Sequence, residues 1–300
     1  MNNGTEKPGF RAGFVTIAGR PNVGKSTLLN VLLGTAVSIV TPKAQTTRHR
    51  IVGVYNRDDA QVVFVDTPGI HQKTPRAINK LMNRAAYSSI EGADVALLVL
   101  DALRWEQAED AILRRMLDAK LPIVVAINKV DTVTDRKRLL PFIASLSEKA
   151  DFAGVVPISA TRGTALDALV NELVSLLPES PPLYPPDQIT DRSPKFQAAE
   201  IIREKLMWQL RQELPYGVEV EIERFDEGEQ LEIGAVIWVE RKGQKKIVIG
   251  QGGSQLKKIG TSARRAIERR MDKTVDLRLW VRHKANWSDD ARALRRFGYE

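Results

Sequence analysis

Five short motifs in the first part of the chain contain the residue types best suited to chemistry. They are GRPNVGKS (19–26), the pair Thr46-Thr47, DTPG (66–69), NKVD (128–131) and Ser159-Ala160. Glycine-rich backbone, a lysine, hydroxyls and carboxylates in this order can hold a nucleotide from its phosphates to its base. Each motif alone could arise by chance, but the fixed order argues against chance for all five.

The first and third motifs are typical of phosphate binding. GxxxxGK[ST] places backbone N–H groups around phosphates at the start of a helix. Lys25 is predicted to reach the β- and γ-phosphates, and the Ser26 hydroxyl and Asp66 carboxylate to hold Mg²⁺. Gly69 can present its N–H to the γ-phosphate. The predicted phosphate-site residues are Gly19, Arg20, Pro21, Asn22, Val23, Gly24, Lys25, Ser26, Thr27, Asp66, Thr67, Pro68 and Gly69.

NKVD favours guanine over adenine. The Asp131 carboxylate can accept hydrogen bonds from N1–H and the 2-amino group of guanine. Adenine lacks that amino group and would present a hydrogen-bond acceptor to the carboxylate. Leaving such a carboxylate unpaired costs about 1–3 kcal/mol, so ATP is expected to be rejected. Asn128 is predicted to tie this loop to the first motif, and the Lys129 stem to cover the base. Ser159-Ala160 would supply a backbone N–H near O6.

The segment TPKAQTTRHR (41–50) is polar, basic and rich in turn formers. A threonine from it would complete the Mg²⁺ shell only when the γ-phosphate is present, which would make the loop a switch. Thr46 and Thr47 are both candidates, and the residues alone do not separate them. We assign Thr47 to the predicted Mg²⁺ ligands with Ser26 and Asp66, and to the catalytic set with Lys25 and Gly69. A second moving segment is expected from Gly69 to about Thr74.

Position 70 raises a question about hydrolysis. Many small GTPases carry glutamine after DTPG to orient the attacking water, and Ile70 has no group for that task. Intrinsic turnover is therefore expected to be slow, or another element positions the water. Binding of GTP without hydrolysis is the alternative, and the full set of Mg²⁺ ligands with Lys25 favours turnover.

The elements that must position these motifs follow from the hydrophobic pattern. Apolar runs alternate with amphipathic stretches from about Phe14 to Leu177, which predicts a mostly parallel sheet with helices on both faces. Six prolines between Pro178 and Pro194 interrupt this alternation and mark a boundary. The apolar runs lie at 14–18, 62–65, 95–100, 123–127 and 155–158, and the predicted domains are 10–178, a linker at 179–194, and 195–300.

The second domain concentrates positive charge around a glycine loop. This domain is predicted to begin with a helix that has Ile201, Leu206 and Leu210 on one face. Two strands with alternating apolar and polar residues, typical of an antiparallel pair, follow it. The loop Gly250–Gly253 then separates an apolar run from a basic helix. Residues 241–284 hold 14 Lys or Arg against 3 Asp or Glu, as a phosphate-binding surface requires. A GxxG loop allows close approach of a sugar–phosphate chain, although a simple turn beside a solvated helix is the alternative.

The residues assigned to RNA binding surround this loop. They are Lys245, Lys246, Ile249, Gly250, Gln251, Gly252, Gly253, Lys257, Lys258 and Arg264. Ile247, Ile249, Leu256 and Ile259 are expected to line a groove for unstacked bases. The aromatic residues Trp280, Trp287, Phe297 and Tyr299 suit base stacking and core packing equally.

The overall composition of the chain bears on its number of domains, its cellular compartment and its type of partner. Three hundred residues, 43% of them hydrophobic, allow two cores. The chain has no cysteine, so disulfide partners are excluded and a reducing compartment is expected. The apolar runs are too short for a membrane span, which predicts a cytoplasmic protein, and the net charge of +8 suits a polyanionic partner.

The chain resembles the Era family of bacterial GTPases over nearly its whole length. GRPNVGKSTLLN, KAQTTRHRIVG, DTPG, NKVD and SA carry the resemblance, with EIIREKL, ELPY, VEIERF, VERKGQKKIVIGQGG and WVRHKANWSDD. It implies an α/β P-loop GTPase domain, with a mostly parallel sheet and helices on both faces, followed by an α+β KH (type II) RNA-binding domain. In this superfamily a hydrophobic residue replaces the catalytic glutamine, as Ile70 does.

The resemblance also implies cofactors and partners. These are GTP/GDP with Mg²⁺, the 3′ end region of 16S rRNA, and the 30S ribosomal subunit or its precursor. The resemblance further implies use of K⁺ through Asn22 and peripheral association with the inner face of the cell membrane. Two other functions remain open, an RNA-binding assembly factor with a non-switching nucleotide site and a membrane-surface signalling GTPase.

Overall fold

The protein is described by a computed structural model that covers residues 9–43, 46–69, 76–210 and 217–299. The chain forms two compact units. The first unit contains Met1–Ser38, Thr47–Gln72 and Met82–Asp191, and the second contains Ile39–Thr46, Lys73–Leu81 and Arg192–Glu300. The second unit thus includes two short segments that lie, in sequence, inside the predicted GTPase domain.

A six-stranded sheet forms the centre of the first unit. Its strand order is β2-β3-β1-β4-β5-β6, and β2 is antiparallel to β3 while all other neighbours are parallel. The mostly parallel sheet predicted from sequence is confirmed, with the addition of β2, which the list of apolar runs omitted. The strands are β1 Arg11–Ala18, β2 Ile51–Asn56, β3 Ala60–Asp66, β4 Val95–Asp101, β5 Ile123–Asn128 and β6 Gly154–Pro157.

Helices cover both faces of this sheet, as predicted. One hydrophobic core joins α1 and α5 to alternate residues of the strands, such as Val15, Ile17 and Phe64. The other joins α2, α3 and α4 to the opposite alternation, including Leu98 and Val125. Because both faces are covered, the central strands are continuous apolar runs. The helices are α1 Lys25–Leu33, α2 Ala77–Glu91, α3 Gln107–Asp118, α4 Leu139–Ser147 and α5 Leu166–Leu176.

The parallel arrangement brings the motifs to one edge. Strands β1, β3 and β5 run in the same direction and end at the P-loop, at Asp66 and at Asn128. Since β1 lies between β3 and β4, the chain winds outward from it in both directions. Loops at the carboxyl edge beside such a switch point form a crevice in which α/β proteins bind ligands.

The second unit contains a three-stranded sheet in the order β7-β8-β9. β7 (Val218–Glu227) is antiparallel to β8 (Leu231–Val239), and β9 (Val275–His283) is parallel to β8. Helices α6 and α8 pack on one face of the sheet in a single core. The helices are α6 Pro194–Gln209, α7 Lys242–Ile249, α8 Ser254–Met271 and α9 Ala291–Arg296.

Three of the four C-terminal aromatics pack inside this unit. Trp287 and Tyr299 are buried, and the Phe297 ring meets the Trp287 ring edge-on at 5.5 Å between centroids. Only Trp280 is exposed among the four, at 46%. The structure therefore assigns Trp287, Phe297 and Tyr299 to packing. Within the described residues, no helix is long and apolar enough to cross a membrane.

Candidate nucleotide site and nucleic-acid groove

The loop between β1 and α1 has the backbone of a phosphate cradle. Gly19 and Gly24 have φ values of 153° and 103°. A Cβ at Gly19 would lie 2.4 Å from the Val99 carbonyl oxygen, and one at Gly24 would lie 2.3 Å from Asn128 Nδ2. Both positions therefore require glycine, because a side chain would collide with the backbone of β4 or with the Asn128 side chain at the end of β5.

Lys25 is buried within this loop. Its Nζ donates to the carbonyl oxygens of Gly19 and Arg20, at 2.8 Å each. Burial lowers the pKa of Lys25 to about 8, although the charges of Asp66 and Glu109 oppose that shift. A buried ammonium whose hydrogen-bond acceptors among the described residues are two carbonyl oxygens is suited to exchange them for phosphate oxygens, which would stabilise its charge.

Three oxygen-bearing side chains meet beside Lys25. Ser26 Oγ lies 2.9 Å from Thr47 Oγ1 and donates to Asp66 Oδ2 at 2.8 Å. Asp66 is fully buried, and burial raises its pKa against the opposing effects of the Lys25 charge and the hydroxyl donors. Its other oxygen, Oδ1, is buried with no hydrogen-bond partner in the described part of the chain. Hydroxyls around a carboxylate with a free oxygen fit Mg²⁺, which prefers oxygen ligands.

The same corner separates the two threonine candidates. Thr46 Oγ1 hydrogen-bonds Thr41 Oγ1 and donates to the Lys43 carbonyl oxygen, at 2.6 Å each. Thr47 Oγ1 instead faces Ser26 and Asp66. The geometry favours Thr47 over Thr46 as the residue near the metal position.

Asn128 joins three loops at the far side of the cradle. Its Nδ2 donates to the Val23 carbonyl oxygen at 2.8 Å, and its Oδ1 accepts from the Ala160 N–H at 2.9 Å. One buried amide thus fixes the P-loop, NKVD and Ser159-Ala160 relative to one another.

Lys129 and Asp131 occupy the outer part of the same site. Lys129 Nζ donates to the Asn22 carbonyl oxygen at 2.8 Å and to Asp101 Oδ2 at 3.0 Å, which holds its stem across the loop. Asp131 is exposed and accepts from Ser159 Oγ at 2.6 Å. This bond aims the carboxylate, so the predicted base-contacting residues lie together. None of the sequence motifs points to Asp101.

Arg20 has a different environment from the one expected for a phosphate contact. Its guanidinium makes ion pairs with Glu106, at 2.6 Å, and with the fully buried Glu109. Both acids belong to the N-terminal capping box of α3. The Arg20 side chain therefore anchors the loop to α3, while its carbonyl oxygen accepts from Lys25 Nζ in the cradle. Sequence reasoning missed Glu106 and Glu109, although the capping-box spacing is visible.

Some predicted features fall outside these observations. Ile70 and Thr74 lie outside the described residues. Gly69 is described, and a Cβ there would lie 3.0 Å from the Pro21 ring, which places DTPG against the P-loop. Asn22 has a left-handed φ of 65°, and its role toward K⁺ stays a prediction.

The glycine loop of the second unit joins α7 to α8. Gly250, Gly252 and Gly253 have φ values of 73°, 57° and 79°, all in the region that favours glycine. Beside it lies a groove of about 390 Å³ between α8 and β9. It is lined by Gly253, Leu256, Lys257, Gly260, Thr261, Arg264, Leu277 and Leu279.

The groove contains part of the predicted RNA-binding set. Lys257 and Arg264 line the groove. Lys245, Lys246 and Lys258 are close to the glycine loop in sequence, and their side chains are exposed. Sequence reasoning missed Leu277 and Leu279, because their place beside α8 depends on the parallel pairing of β9 with β8. The prediction for Ile259 was wrong, since this residue is fully buried in the core on the inner side of α8. Leu256, three residues earlier and predicted for the same groove, does line it.

Two family models match the chain. Residues 14–129 match the family described as "50S ribosome-binding GTPase", and residues 213–288 match the KH domain. GTPase Era of Xanthomonas oryzae pv. oryzae is 52% identical over 97% of each chain. GTPase Era of Stenotrophomonas maltophilia is 51% identical over 99% of this chain and 100% of that protein.

Two solved structures are similar over almost the full length. A crystal structure of an Aquifex aeolicus Era variant bound to GDP·AlF₄⁻ matches with a TM-score of 0.94, 41% identity, and coverage of 97% of this chain and 99% of that chain. Era in complex with MgGDPNP and nucleotides 1506–1542 of 16S ribosomal RNA matches with a TM-score of 0.93, and with the same identity and coverage. The chain combines a P-loop, the NKVD loop expected to bind guanine and a KH domain, and it is 51–52% identical to these Era proteins over nearly its whole length. The protein therefore belongs to the Era family of GTPases.

Proposed function

We propose that this GTPase is a nucleotide-controlled switch that binds the 3′ region of 16S rRNA during biogenesis of the 30S subunit. Its nucleotide site and its basic KH groove supply the two activities that this role needs. The Era relative crystallised with MgGDPNP and 16S rRNA nucleotides supports the same pair of ligands here.

The nucleotide site assigns a role to each residue group. Lys25 would bind the β- and γ-phosphates, Asp131 the guanine edge, and Ser26, Thr47 and Asp66 would hold Mg²⁺. When bound, Mg²⁺ neutralises charge that develops on the phosphates. Gly69 would donate its backbone N–H toward the γ-phosphate. Because position 70 is isoleucine, we expect slow intrinsic hydrolysis.

Control of RNA binding by nucleotide is supported by the segment Ile39–Thr46, which belongs to the second unit. Val40 is bonded at both backbone groups, since its N–H donates to Glu204 Oε1 at 3.2 Å and its carbonyl oxygen accepts from Trp208 Nε1 at 3.1 Å. Lys43 Nζ donates to carbonyl oxygens at the end of α6, those of Met207 and Leu210. The segment is therefore held along one face of α6.

One bond of this set carries the proposal. Arg203 is fully buried in α6, and its Nη2 donates to the Thr46 carbonyl oxygen at 2.5 Å. The next residue in the chain is Thr47, whose hydroxyl is a proposed Mg²⁺ ligand beside Ser26 and Asp66. A displacement of Thr47 that follows loss of the γ-phosphate would thus pull on a buried bond of the RNA-binding unit.

The residues that follow the second segment expected to move, Gly69 to about Thr74, are attached in a similar way. Lys73–Leu81 also belongs to the second unit. Arg76 Nη1 pairs with Glu240 Oε2 at 3.0 Å, and the Ala77 N–H donates to Asp289 Oδ1 at 2.8 Å. Both segments that flank the nucleotide site in sequence are therefore bonded to elements of the KH region.

The test is the affinity for an RNA fragment corresponding to nucleotides 1506–1542 of 16S rRNA, measured with GDP, with GDPNP and without nucleotide. We expect the tightest binding with GDPNP and Mg²⁺. Equal affinity in all three states would reject the switch and favour an RNA-binding assembly factor with a non-switching nucleotide site. For that alternative, Lys25→Ala would leave maturation of the small subunit unchanged.

The setting of this function is also part of the proposal. We expect the protein to act in the cytoplasm, in agreement with a chain that has no cysteine. Peripheral membrane association stays a prediction, as does stimulation by K⁺. A preference for vesicles rich in anionic lipid over the RNA fragment would favour the membrane-surface alternative.

A further inference from the structure

Ser38 is a buried hydroxyl residue outside all five motifs. It lies in the first unit, in the loop that follows α1, and only 2% of its surface is exposed. Its Oγ donates to Asp66 Oδ2 at 3.0 Å. A serine that the motifs do not include therefore contacts the carboxylate proposed to hold Mg²⁺.

Asn30 fixes the backbone that carries this hydroxyl. Asn30 Oδ1 accepts from the N–H groups of Val37 and Ser38, at 3.0 Å each, and its Nδ2 donates to the Ser38 carbonyl oxygen at 2.7 Å. Asn30 lies four residues after Ser26 in α1, so both side chains are on the same side of the helix. Ser38 is consequently held in a fixed position relative to Ser26.

The two oxygens of Asp66 are thereby made different. Oδ2 accepts from the hydroxyls of Ser26, Ser38 and Thr47, whereas Oδ1 has no hydrogen-bond partner among the described residues. The terminal torsion of aspartate is broad, so directed donors decide which oxygen faces which way. The hydroxyls of Ser26 and Thr47 belong to the proposed Mg²⁺ ligands. Among the described residues, Ser38 is the side-chain donor to Asp66 outside that set.

We propose that Ser38 is a positioning residue of the magnesium site, which holds Asp66 Oδ2 so that Oδ1 is presented to the hydrated ion. Asn30 acts through Ser38 by fixing its loop. This inference rests on the proposed roles of Ser26, Thr47 and Asp66. Groups that orient metal ligands in this way typically change metal affinity by about 10–100-fold when they are removed.

The experiment compares the wild-type protein with Ser38→Ala. The readout is the rate of release of a fluorescent GDP analogue, titrated with Mg²⁺, together with the affinity for that analogue in EDTA. We expect the Mg²⁺ concentration at half-effect to rise about tenfold, with affinity in EDTA changed less than twofold. Asn30→Ala should give a similar shift, and the double variant little more, because both act on one hydroxyl.

Ser145→Ala is the matched control, since Ser145 is exposed and its hydroxyl bonds only the Phe142 carbonyl oxygen of its own helix among the described residues. An unchanged Mg²⁺ response in a folded Ser38→Ala protein would overturn the proposal. Equal loss of GDP affinity with and without Mg²⁺ would also overturn it, since that result indicates packing alone. If Ser38→Ala fails to fold, the same measurements are made on Ser38→Cys, because a thiol is similar in size to the hydroxyl group but is a weaker hydrogen-bond donor. The same two results would then overturn the proposal. Absence of any Mg²⁺ effect in the wild-type protein would instead refute the proposed nucleotide site.

Discussion

Replacing Arg203 by methionine should destabilise the second unit strongly. The guanidinium is wholly buried, and it pairs with Glu200 through Nε at 2.7 Å and Nη2 at 2.6 Å. Burial lowers the Arg203 pKa, but the Glu200 charge and hydrogen bonds outweigh it, so the net pKa is raised. Arg203→Met leaves the Glu200 carboxylate buried without its cation. Breaking such a pair costs about 3–5 kcal/mol.

Urea denaturation followed by tryptophan fluorescence measures this effect. Four of the five tryptophans belong to the second unit, so the signal reports mainly on it. With a slope of about 2 kcal/mol/M, the midpoint should fall by about 2 M. The double variant Arg203→Met/Glu200→Gln should recover most of the loss, because it removes both buried charges. A single-variant shift below about 0.3 M, or a double variant as unstable as the single one, would refute the reasoning.

The same double variant separates coupling from stability. It restores folding but leaves the Thr46 carbonyl oxygen without its Arg203 donor. The ratio of RNA affinities in the GDPNP and GDP states should therefore fall toward one, while RNA binding itself persists. If the folded double variant keeps the wild-type ratio, the Arg203–Thr46 bond does not transmit the nucleotide state.

Three further outcomes are expected. Asp131→Asn should weaken GTP binding by about 1–3 kcal/mol and favour xanthosine triphosphate, whose 2-carbonyl can accept from the new amide, as competition binding would reveal. In the nucleotide-free protein the free energy of unfolding should rise from pH 8 to 10.5, by about 3 kcal/mol, because the unfolded chain there holds a proton that native Lys25 has lost. Lys25→Met should lack this rise in the same chemical-denaturation series, and an equal rise in the variant would contradict the assignment. Lys257→Ala and Lys258→Ala should each reduce the slope of log affinity against log salt for RNA by about 0.7, and an unchanged slope would place those lysines away from phosphates.

Much of the fold and the nucleotide site could be predicted because local sequence determines them. The strands that end at the P-loop, Asp66 and Asn128 are continuous apolar runs, and a parallel sheet brings their carboxyl ends to one edge. Strand β2 was missed because it follows a basic loop and runs antiparallel at the sheet edge. Ile259 was misplaced because helical spacing gives a face without saying which face is inside.

The residues that sequence reasoning did not find act through long-range contacts. Arg203 meets Thr46 across 157 positions, and Ser38 meets Asp66 across 28. No local pattern marks a serine in a loop as a partner of Asp66, or an arginine in a helix as a partner of the Thr46 carbonyl oxygen. Such contacts depend on tertiary packing, which motif spacing does not encode.

Thr46 and Thr47 show why the adjacent threonines should have separate roles. The Thr47 hydroxyl hydrogen-bonds Ser26 and Asp66. The Thr46 carbonyl oxygen instead accepts from Arg203, and the Thr46 hydroxyl hydrogen-bonds Thr41 and the Lys43 carbonyl oxygen. One peptide bond thus joins a residue of the nucleotide-binding unit to a residue of the RNA-binding unit. Because that bond is planar and rigid, a change at Thr47 constrains the Thr46 carbonyl directly. Substituting Thr47 should therefore alter both Mg²⁺ binding and nucleotide-dependent RNA affinity, whereas Thr46→Ser, which keeps both polar groups of Thr46, should alter neither.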